Sequence, residues 1–167
     1  MKKLLYLILI ILINCGGCIR HSDQGLTKRF RVKSSTEKSN LKRLTINLPV
    51  EDIQATINFY KDICGLETVS YYPDQQNVEF IILAKGDIEL MLQKKDNFVE
   101  EFPEYRNKPL GGSFYLYFEV KDILAIYEKA VSKTKILKEL HQTQYGTKEF
   151  VIQDNNGYLV TFAEAIQ

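Results

Sequence analysis

The protein has 167 residues, of which 45% are hydrophobic and 26% are charged, and its formal net charge is +1. A chain of this length and composition can form one globular domain with a core of its own. The charge is unevenly distributed, since residues 1–43 hold 10 Lys/Arg and 2 Asp/Glu, whereas residues 44–167 hold 12 Lys/Arg and 19 Asp/Glu. The acidic second part argues against nucleic acid as a partner.

Residues 1–18 have the pattern of an export signal. Two lysines precede an apolar run at residues 4–13, and small residues follow it. Ten apolar residues are too few to span a bilayer, which takes about 20. The sequence Cys-Gly-Gly-Cys at 15–18 resembles the end of a bacterial lipoprotein signal. That resemblance implies lipidation of Cys18 and attachment to a bacterial cell envelope. An uncleaved N-terminal membrane anchor is the alternative.

Residues 19–43 are predicted to form a flexible linker, because they are rich in Ser, Thr, Lys, Arg and Asn and lack apolar periodicity. Eight basic residues in this segment are accompanied only by Asp23 and Glu37. The linker can therefore associate with an anionic lipid surface or act as a solvated spacer. Beyond residue 18 the only cysteine is Cys64, so the rest of the chain cannot form an internal disulfide.

The domain at residues 44–167 is predicted to begin with a strand and a helix. Apolar residues at 44, 46 and 48 alternate with polar ones, which indicates a half-buried strand that Pro49 ends. Asp52 and Gly65 then suit the N-cap and the C-cap of a helix. The buried face of that helix is predicted to consist of Ile53, Ile57, Tyr60 and Cys64. Cys64 is accordingly predicted to be a core thiol.

Further strands are predicted at residues 67–72, 78–84 and 88–93, followed by a polar connector at 97–110 with a short helical turn. The same order then returns, with strands at 114–118, 136–140, 148–153 and 158–163, a helix from residue 123, a loop at 141–147 and a turn at 154–157. Val-Glu-Asp-Ile at 50–53 is echoed by Val-Lys-Asp-Ile at 120–123. The sequence therefore predicts two similar βαβββ modules, too few for a solenoid.

The stretch from Leu44 to Glu164 resembles a vicinal-oxygen-chelate (VOC) domain, the superfamily of glyoxalase I and the bleomycin-binding proteins. The resemblance rests on four motifs that occur in the family's order, namely V-E-D-I-x-A-x-x-x-F-Y ending in C-G-L, I-E-L-M-L-Q, Y-L-Y-F-E-V-K-D-I and Y-G-x-x-E-F-V-I-Q-D-N-N-G-Y. It implies an α+β fold in which two tandem βαβββ modules form a curved, cup-like mixed sheet with helices outside.

Metal-dependent members of this superfamily place one ligand on each of four inner strands. The motifs put these positions at Thr45, Glu89, Tyr115 and Thr161. Glu89 is the only plausible metal ligand among them, because neutral hydroxyls are poor donors compared with imidazole or carboxylate. The two histidines do not supply a substitute, since one lies in the linker and His141 in a predicted loop. No metal, no other cofactor and no catalytic residue are therefore predicted.

Alternation along the inner strands predicts that large apolar side chains pack against the helices and that the intervening side chains line the cup. The predicted ligand pocket consists of Thr45, Asn47, Glu89, Met91, Tyr115, Tyr117, Tyr145 and Thr161. A concave surface with a few polar groups is the usual form of a small-molecule site. Plain packing is the alternative role for the tyrosines, which are common on strands.

The predicted function is that of an exported, membrane-tethered protein that binds a small molecule without metal or catalysis, like the bleomycin-binding branch. A metal-dependent lyase or isomerase with an unusual ligand set is one alternative. A vestigial cup that serves as an interaction module is another. Similar members of the superfamily often pair, and apolar residues of the connector at 97–110 offer a contact surface, so a homodimer is expected.

Overall fold

The computed structural model describes residues 40, 42–112 and 114–166. The predicted signal, Cys18 as the predicted lipidation site and most of the predicted linker lie outside these residues. Within the part of the chain that the structure describes, no helix is long and apolar enough to cross a membrane.

The chain forms the order βαβββ twice, as predicted. The first unit consists of β1 (Ile46–Val50), α1 (Ile53–Cys64), β2 (Glu67–Tyr72), β3 (Phe80–Lys85) and β4 (Ile88–Lys94). The connector contains α2 (Lys95–Glu101) and a 3₁₀ helix (Pro103–Tyr105). The second unit consists of β5 (Tyr115–Glu119), α3 (Ile123–Lys133), β6 (Ile136–Gln142), β7 (Thr147–Gln153) and β8 (Leu159–Ala165).

Each unit builds one four-stranded mixed sheet, with the order β1-β4-β3-β2 in the first and β5-β8-β7-β6 in the second. The first strand of each unit runs parallel to the last, and the remaining pairs are antiparallel. The two sheets are thus built alike, and α1 or α3 supplies the crossover that a parallel pair requires.

Both sheets turn one face toward a common hydrophobic core. The buried side chains alternate along the strands, and they include Leu48, Val50, Leu90 and Leu92 in the first unit and Leu116, Val160 and Phe162 in the second. This alternation confirms the predicted register, because a slip by one residue would expose the whole set. Helix α3 contacts the second sheet through the Tyr127 ring, which meets Phe150 edge-on with centroids 5.1 Å apart.

The same cap begins both long helices. Asp52 accepts a hydrogen bond from the backbone N–H of Ala55 at 2.9 Å, and Asp122 accepts one from Ala125 at 3.1 Å. An aspartate at the N-cap satisfies one of the N–H groups that a first turn leaves free. The echoed Val-x-Asp-Ile sequence therefore marks the same structural step in each unit. Gly65 ends α1 in the left-handed conformation, with φ 67°, as predicted.

The turn at residues 154–157 joins the two units. The Tyr60 hydroxyl on α1 donates to the Asp154 carboxylate at 2.9 Å. Asn156 accepts from the backbone N–H of Glu51 at 2.9 Å, and its side-chain amide donates to the Thr56 hydroxyl at 2.9 Å. The predicted turn is present, and its polar side chains hold the second unit against the N-terminal half of α1.

This contact shifts the buried face of α1 from the predicted one. Thr56 and Ile63 are buried together with Ile53 and Tyr60, whereas Ile57 and Cys64 are only half-buried. The apolar pattern passed over Thr56 because its side chain is polar, but two amide groups of the 154–157 turn satisfy its hydroxyl.

Three local predictions differ from the structure. Strand β1 continues through Pro49 to Val50, which is possible because β1 lies at the edge of its sheet and pairs only with β4 there. Leu44 precedes β1 and is 89% exposed, so it does not pack against the helices. His141 lies in β6 rather than in a loop, opposite Glu149 of β7.

Candidate functional site

The second sheet has one face on the core and one face turned away from it, here called the open face, on which Tyr115, Tyr117 and Leu159 are exposed while Thr161, Ala163 and Glu149 are buried. Side chains alternate along a strand, so every second residue of β5, β7 and β8 belongs to the open face. The strand register places these residues there: Tyr115, Tyr117 and Glu119 on β5, Leu159, Thr161 and Ala163 on β8, and Glu149 and Val151 on β7. Three of the predicted pocket residues therefore share this face, and Tyr145 approaches it from the β6–β7 turn.

A buried carboxylate lies at the centre of this group. Glu149 is only 6% exposed, and it accepts hydrogen bonds from three hydroxyl groups. Tyr117 donates to Oε1 at 2.9 Å, Thr147 donates to Oε1 at 2.8 Å, and Tyr145 donates to Oε2 at 3.0 Å. The two tyrosine rings remain accessible, with 45% of Tyr117 and 53% of Tyr145 exposed. The site combines a fixed negative group with exposed aromatic surface.

The β6–β7 turn holds Tyr145 over the carboxylate. The backbone N–H of Thr143 donates to the carbonyl of Thr147 at 2.8 Å, which closes the turn. The hydroxyls of the same two threonines lie 2.8 Å apart, so Thr147 is linked both to Thr143 and to Glu149. Gly146 has φ 86°, a conformation that favours glycine. The Tyr-Gly pair of the sequence thus builds the turn that aims this tyrosine at the site.

The environment keeps both tyrosines in their neutral, donating form. Burial, followed by the hydrogen bond to Glu149 and the charge of Glu149, raises the pKa of the Tyr117 hydroxyl. The same causes, in the same order, raise the pKa of the Tyr145 hydroxyl, and nearby Tyr115 adds to them. Both hydroxyls therefore donate to Glu149 rather than accept from it.

Sequence reasoning missed Glu149, which is the central residue of this group. The prediction followed only the four inner strands and did not extend the alternation to β7. The signal was present, since Phe150 and Ile152 are apolar and buried, which turns Glu149 and Val151 to the other side.

The remaining predicted residues belong to the first sheet. Asn47 donates to Gln93 at 2.7 Å, and Met91 lies beside Asn47 on the neighbouring strand. Thr45 is half-buried just before β1. Glu89 forms an ion pair with Arg43. The eight predicted residues are therefore divided between two sheets within one chain, and their role in ligand binding stays a prediction.

The four family ligand positions do not fit a metal ion. Thr45, Tyr115 and Thr161 offer only neutral hydroxyls, which are weak ligands for divalent metals. The carboxylate of Glu89 is already paired with the guanidinium of Arg43. Across residues 42–112 and 114–166, no three His, Cys, Asp or Glu side chains are grouped as a metal site would require.

Two cavities lie beside the strands. The first, the seam cavity, has a volume of about 490 Å³ and is lined by residues of both units. Its lining residues are Leu44, Ile46, Asp87, Ile88, Glu89, Leu90, Leu116, Tyr117, Phe118 and Glu119. The second, the connector cavity, has a volume of about 360 Å³ and lies beneath α2 and the 3₁₀ helix, with Asn47, Phe98, Tyr105, Phe114 and Tyr158 among its walls. Both are large enough for a small ligand, and each contains only one or two of the predicted residues.

Comparison with known proteins identifies the fold. A sequence model of the Glyoxalase/Bleomycin resistance protein/Dioxygenase superfamily matches residues 42–162. The chain belongs to this superfamily. Its VOC domain thus has the two-module architecture that the motifs implied. The residues at the family's ligand positions are Thr45, Glu89, Tyr115 and Thr161. No curated protein matches the sequence significantly.

Solved structures confirm the VOC fold. A glyoxalase/bleomycin resistance protein/dioxygenase family enzyme from Burkholderia phytofirmans matches with a TM-score of 0.64 and 17% identity, over 73% of this chain and 97% of that one. TnmS3, an antibiotic binding protein from Streptomyces, matches with a TM-score of 0.60 and 16% identity, over 77% and 99%. TioX from Micromonospora matches with a TM-score of 0.58 and 15% identity, over 75% and 99%.

Proposed function

We propose that this protein is an exported, membrane-tethered VOC protein that binds a small molecule on the open face of its second sheet without a metal centre. The observation that carries the proposal is Glu149, a buried carboxylate that receives the hydroxyls of Tyr117, Tyr145 and Thr147 beside exposed aromatic rings. A few convergent polar groups next to apolar surface are typical of small-molecule sites.

The side chains at the family's ligand positions support binding rather than metal chemistry. Lyase or isomerase activity of the metal-dependent type needs several strong ligands around one ion. This chain offers Glu89 alone at those positions, and Arg43 already neutralises it. The fold similarity to TnmS3, described as an antibiotic binding protein, is consistent with a binding role for the same architecture.

The tether and the assembly state form the rest of the proposal. Residues 1–18 have the pattern of a lipoprotein signal, which would place Cys18 at the membrane and the domain beyond a basic linker. A homodimer is proposed because the connector at residues 97–110 leaves Phe102 38% and Tyr105 42% exposed. A second copy of the chain can cover this aromatic surface and leave the open face of the second sheet to a ligand.

A thermal-shift screen of small molecules tests the binding proposal. A ligand at a hundred times its Kd stabilises the folded state by about 2.7 kcal/mol, which raises the melting temperature by roughly 5–15 °C. We expect Tyr145→Ala to weaken the response to any hit. Tyr71→Ala is the matched control, since Tyr71 is an exposed tyrosine on β2 of the other sheet.

Metal analysis of the purified protein tests the metal-dependent alternative. One divalent ion per chain that survives desalting and disappears in Glu89→Ala would establish the metal-dependent alternative and end the metal-free proposal. A broad screen without any thermal shift would favour an interaction module instead.

A further inference from the structure

Glu149 carries a negative charge that the described residues do not balance. Its three partners are neutral hydroxyl groups, and no lysine, arginine or histidine within residues 42–112 and 114–166 forms an ion pair with it. Burying an ionised carboxylate without an opposite charge is costly, and hydrogen bonds offset that cost only in part. An added positive charge beside Glu149 would therefore be stabilised.

The two oxygens of the Glu149 carboxylate are engaged to different extents. An ionised carboxylate offers about four lone-pair sites on its two oxygens. Oε1 accepts from both Tyr117 and Thr147, whereas Oε2 accepts only from Tyr145. Oε2 is therefore the less engaged oxygen, and its negative charge attracts an ammonium group on the side of the Tyr145 ring, whether or not that group can donate a hydrogen bond.

The surrounding rings suit a cation that is organic rather than a bare metal ion. Tyr115, Tyr117 and Tyr145 are 58%, 45% and 53% exposed, and the hydroxyls of Tyr117 and Tyr145 meet at Glu149, so two exposed rings adjoin the carboxylate. Aromatic faces attract ammonium groups, and several rings together form the sites that recognise methylated amines. A divalent metal would need further carboxylate or imidazole ligands, and the described residues hold no such group.

The other charged side chains on the open face do not make its net charge positive. Glu119 of β5 shares the row of Glu149, and β8 contributes only Leu159, Thr161 and Ala163. On the outer strand β6, the register places Lys138 opposite Val151 and His141 opposite Glu149. The His141 ring contacts the backbone carbonyl of Glu139 at 2.8 Å rather than the carboxylate of Glu149.

From these observations we infer that the open face of the second sheet binds an organic cation, a protonated or quaternary amine whose nitrogen sits against Glu149 and the rings of Tyr117 and Tyr145. The inference rests on the proposed function and names the chemical class of its ligand. The hydroxyl hydrogen bonds hold the carboxylate in place, while the rings and Oε2 receive the cation.

Choline and its neutral isostere 3,3-dimethylbutan-1-ol provide a direct test on the full-length protein at constant ionic strength. The two probes share one shape and differ in charge. We expect choline to perturb the NMR signals of the three tyrosines, and the isostere to bind about tenfold more weakly or worse, the equivalent of losing one cation–π or charged contact. In Glu149→Gln, choline binding should fall by about tenfold or more.

Matched variants separate the cation site from general effects. Glu128→Gln removes the same charge from an exposed position on α3 and should leave choline binding unchanged. Tyr145→Leu should weaken binding because it removes the ring, whereas Tyr145→Phe keeps the ring and should retain it. The tyrosine pair keeps the test decisive even where Glu149→Gln fails to fold.

Two results would overturn the inference. Equal affinity for choline and its isostere at these tyrosines would contradict a cation site while leaving small-molecule binding intact. Choline binding that Glu149→Gln and Tyr145→Leu both leave unchanged would place the cation elsewhere on the molecule. A failed thermal-shift screen together with a silent choline titration would instead reject the binding function itself.

Discussion

Cys64 at the end of α1 is half-buried and packs against the hydrophobic core. Removal from water raises the pKa of this thiol to about 12, from a reference value of 9.0, and the nearby Lys85 only partly opposes that effect. The folded state therefore favours the neutral thiol. Stability from this group is fully present below about pH 9, and it is lost as the pH rises from there toward about 12.

Native Cys64 should consequently resist alkylation. At pH 8 a rise in pKa from 9.0 to about 12 lowers the thiolate fraction about a thousandfold, and the thiolate is the reactive form. Iodoacetamide treatment followed by peptide mapping measures the effect at this residue alone. The same protein in denaturant is the control and should react at the rate of an ordinary cysteine. Equal rates in both states would mean that the thiol is not held in the core.

For single residues, the sequence was sufficient where the prediction depends only on neighbours along the chain. Cys64 was predicted to be a core thiol and packs against the core, and the strand alternation placed Tyr117 and Thr161 on one face of one sheet. Glu149 was missed because the alternation of β7 was not followed. The role of Glu149 in the site depends on Tyr117, which is 32 positions away in the sequence. The Tyr117 hydroxyl donates to Glu149 in the folded chain.

Among the elements, the 154–157 turn supplies several of the hydrogen bonds between the two units. Asp154 is buried and accepts hydrogen bonds from the Tyr60 hydroxyl and from the backbone N–H groups of Asn156 and Tyr158. Burial nevertheless raises the pKa of this carboxyl above its usual value, because the hydrogen bonds do not fully offset the loss of water. Of these donors, only the Tyr60 hydroxyl comes from the first unit.

Tyr60→Phe should therefore destabilise the protein by about 1–3 kcal/mol, since it leaves a buried carboxylate without one of its donors. Chemical denaturation measures the change. Tyr127→Phe is the matched control, because Tyr127 donates to the exposed Glu139 on the protein surface. We expect little or no change in the control. Similar losses in both variants would show that the Tyr60–Asp154 contact does not hold the units together.

The sequence predicted this turn but not its partner. Asp-Asn-Asn-Gly is a strong turn signal on its own. The contacts of the turn lie about one hundred positions away on α1, at Thr56 and Tyr60, and no local pattern links them. The same limit applies to Thr56, which is buried only because the second unit covers it.

For the molecule as a whole, repetition made the fold predictable. The echo of Val-x-Asp-Ile and the alternating strands predicted two βαβββ units, and each unit forms its own sheet. How the sheets associate was not predictable from the sequence, because it depends on the shared core and on the 154–157 turn. That arrangement also leaves Phe102 and Tyr105 of the connector exposed, which is the basis for expecting a second copy of the chain.

Native mass spectrometry of the full-length protein extracted from membranes tests assembly and tether together. We expect a dimer of chains that begin at Cys18 and carry lipid on that residue. A stable complex needs about 800 Å² of surface from each partner, and exposed aromatic side chains suit such an interface. Phe102→Asp should weaken the dimer by roughly 30-fold or more, because an unpaired charge would be buried at the contact.

Cys18→Ser should release the protein from the membrane and leave the dimer intact, since the proposed contact lies in the folded domain. One acyl chain binds a bilayer only marginally, but several chains, at about 0.8 kcal/mol for each buried CH₂, anchor a protein stably. Salt should weaken any remaining attachment through the basic linker.

Monomers at micromolar concentration that still bind ligand would refute the dimer. Membrane retention of the Cys18→Ser protein with Met1 still present would refute lipidation, because an uncleaved apolar anchor at residues 4–13 would then hold the chain.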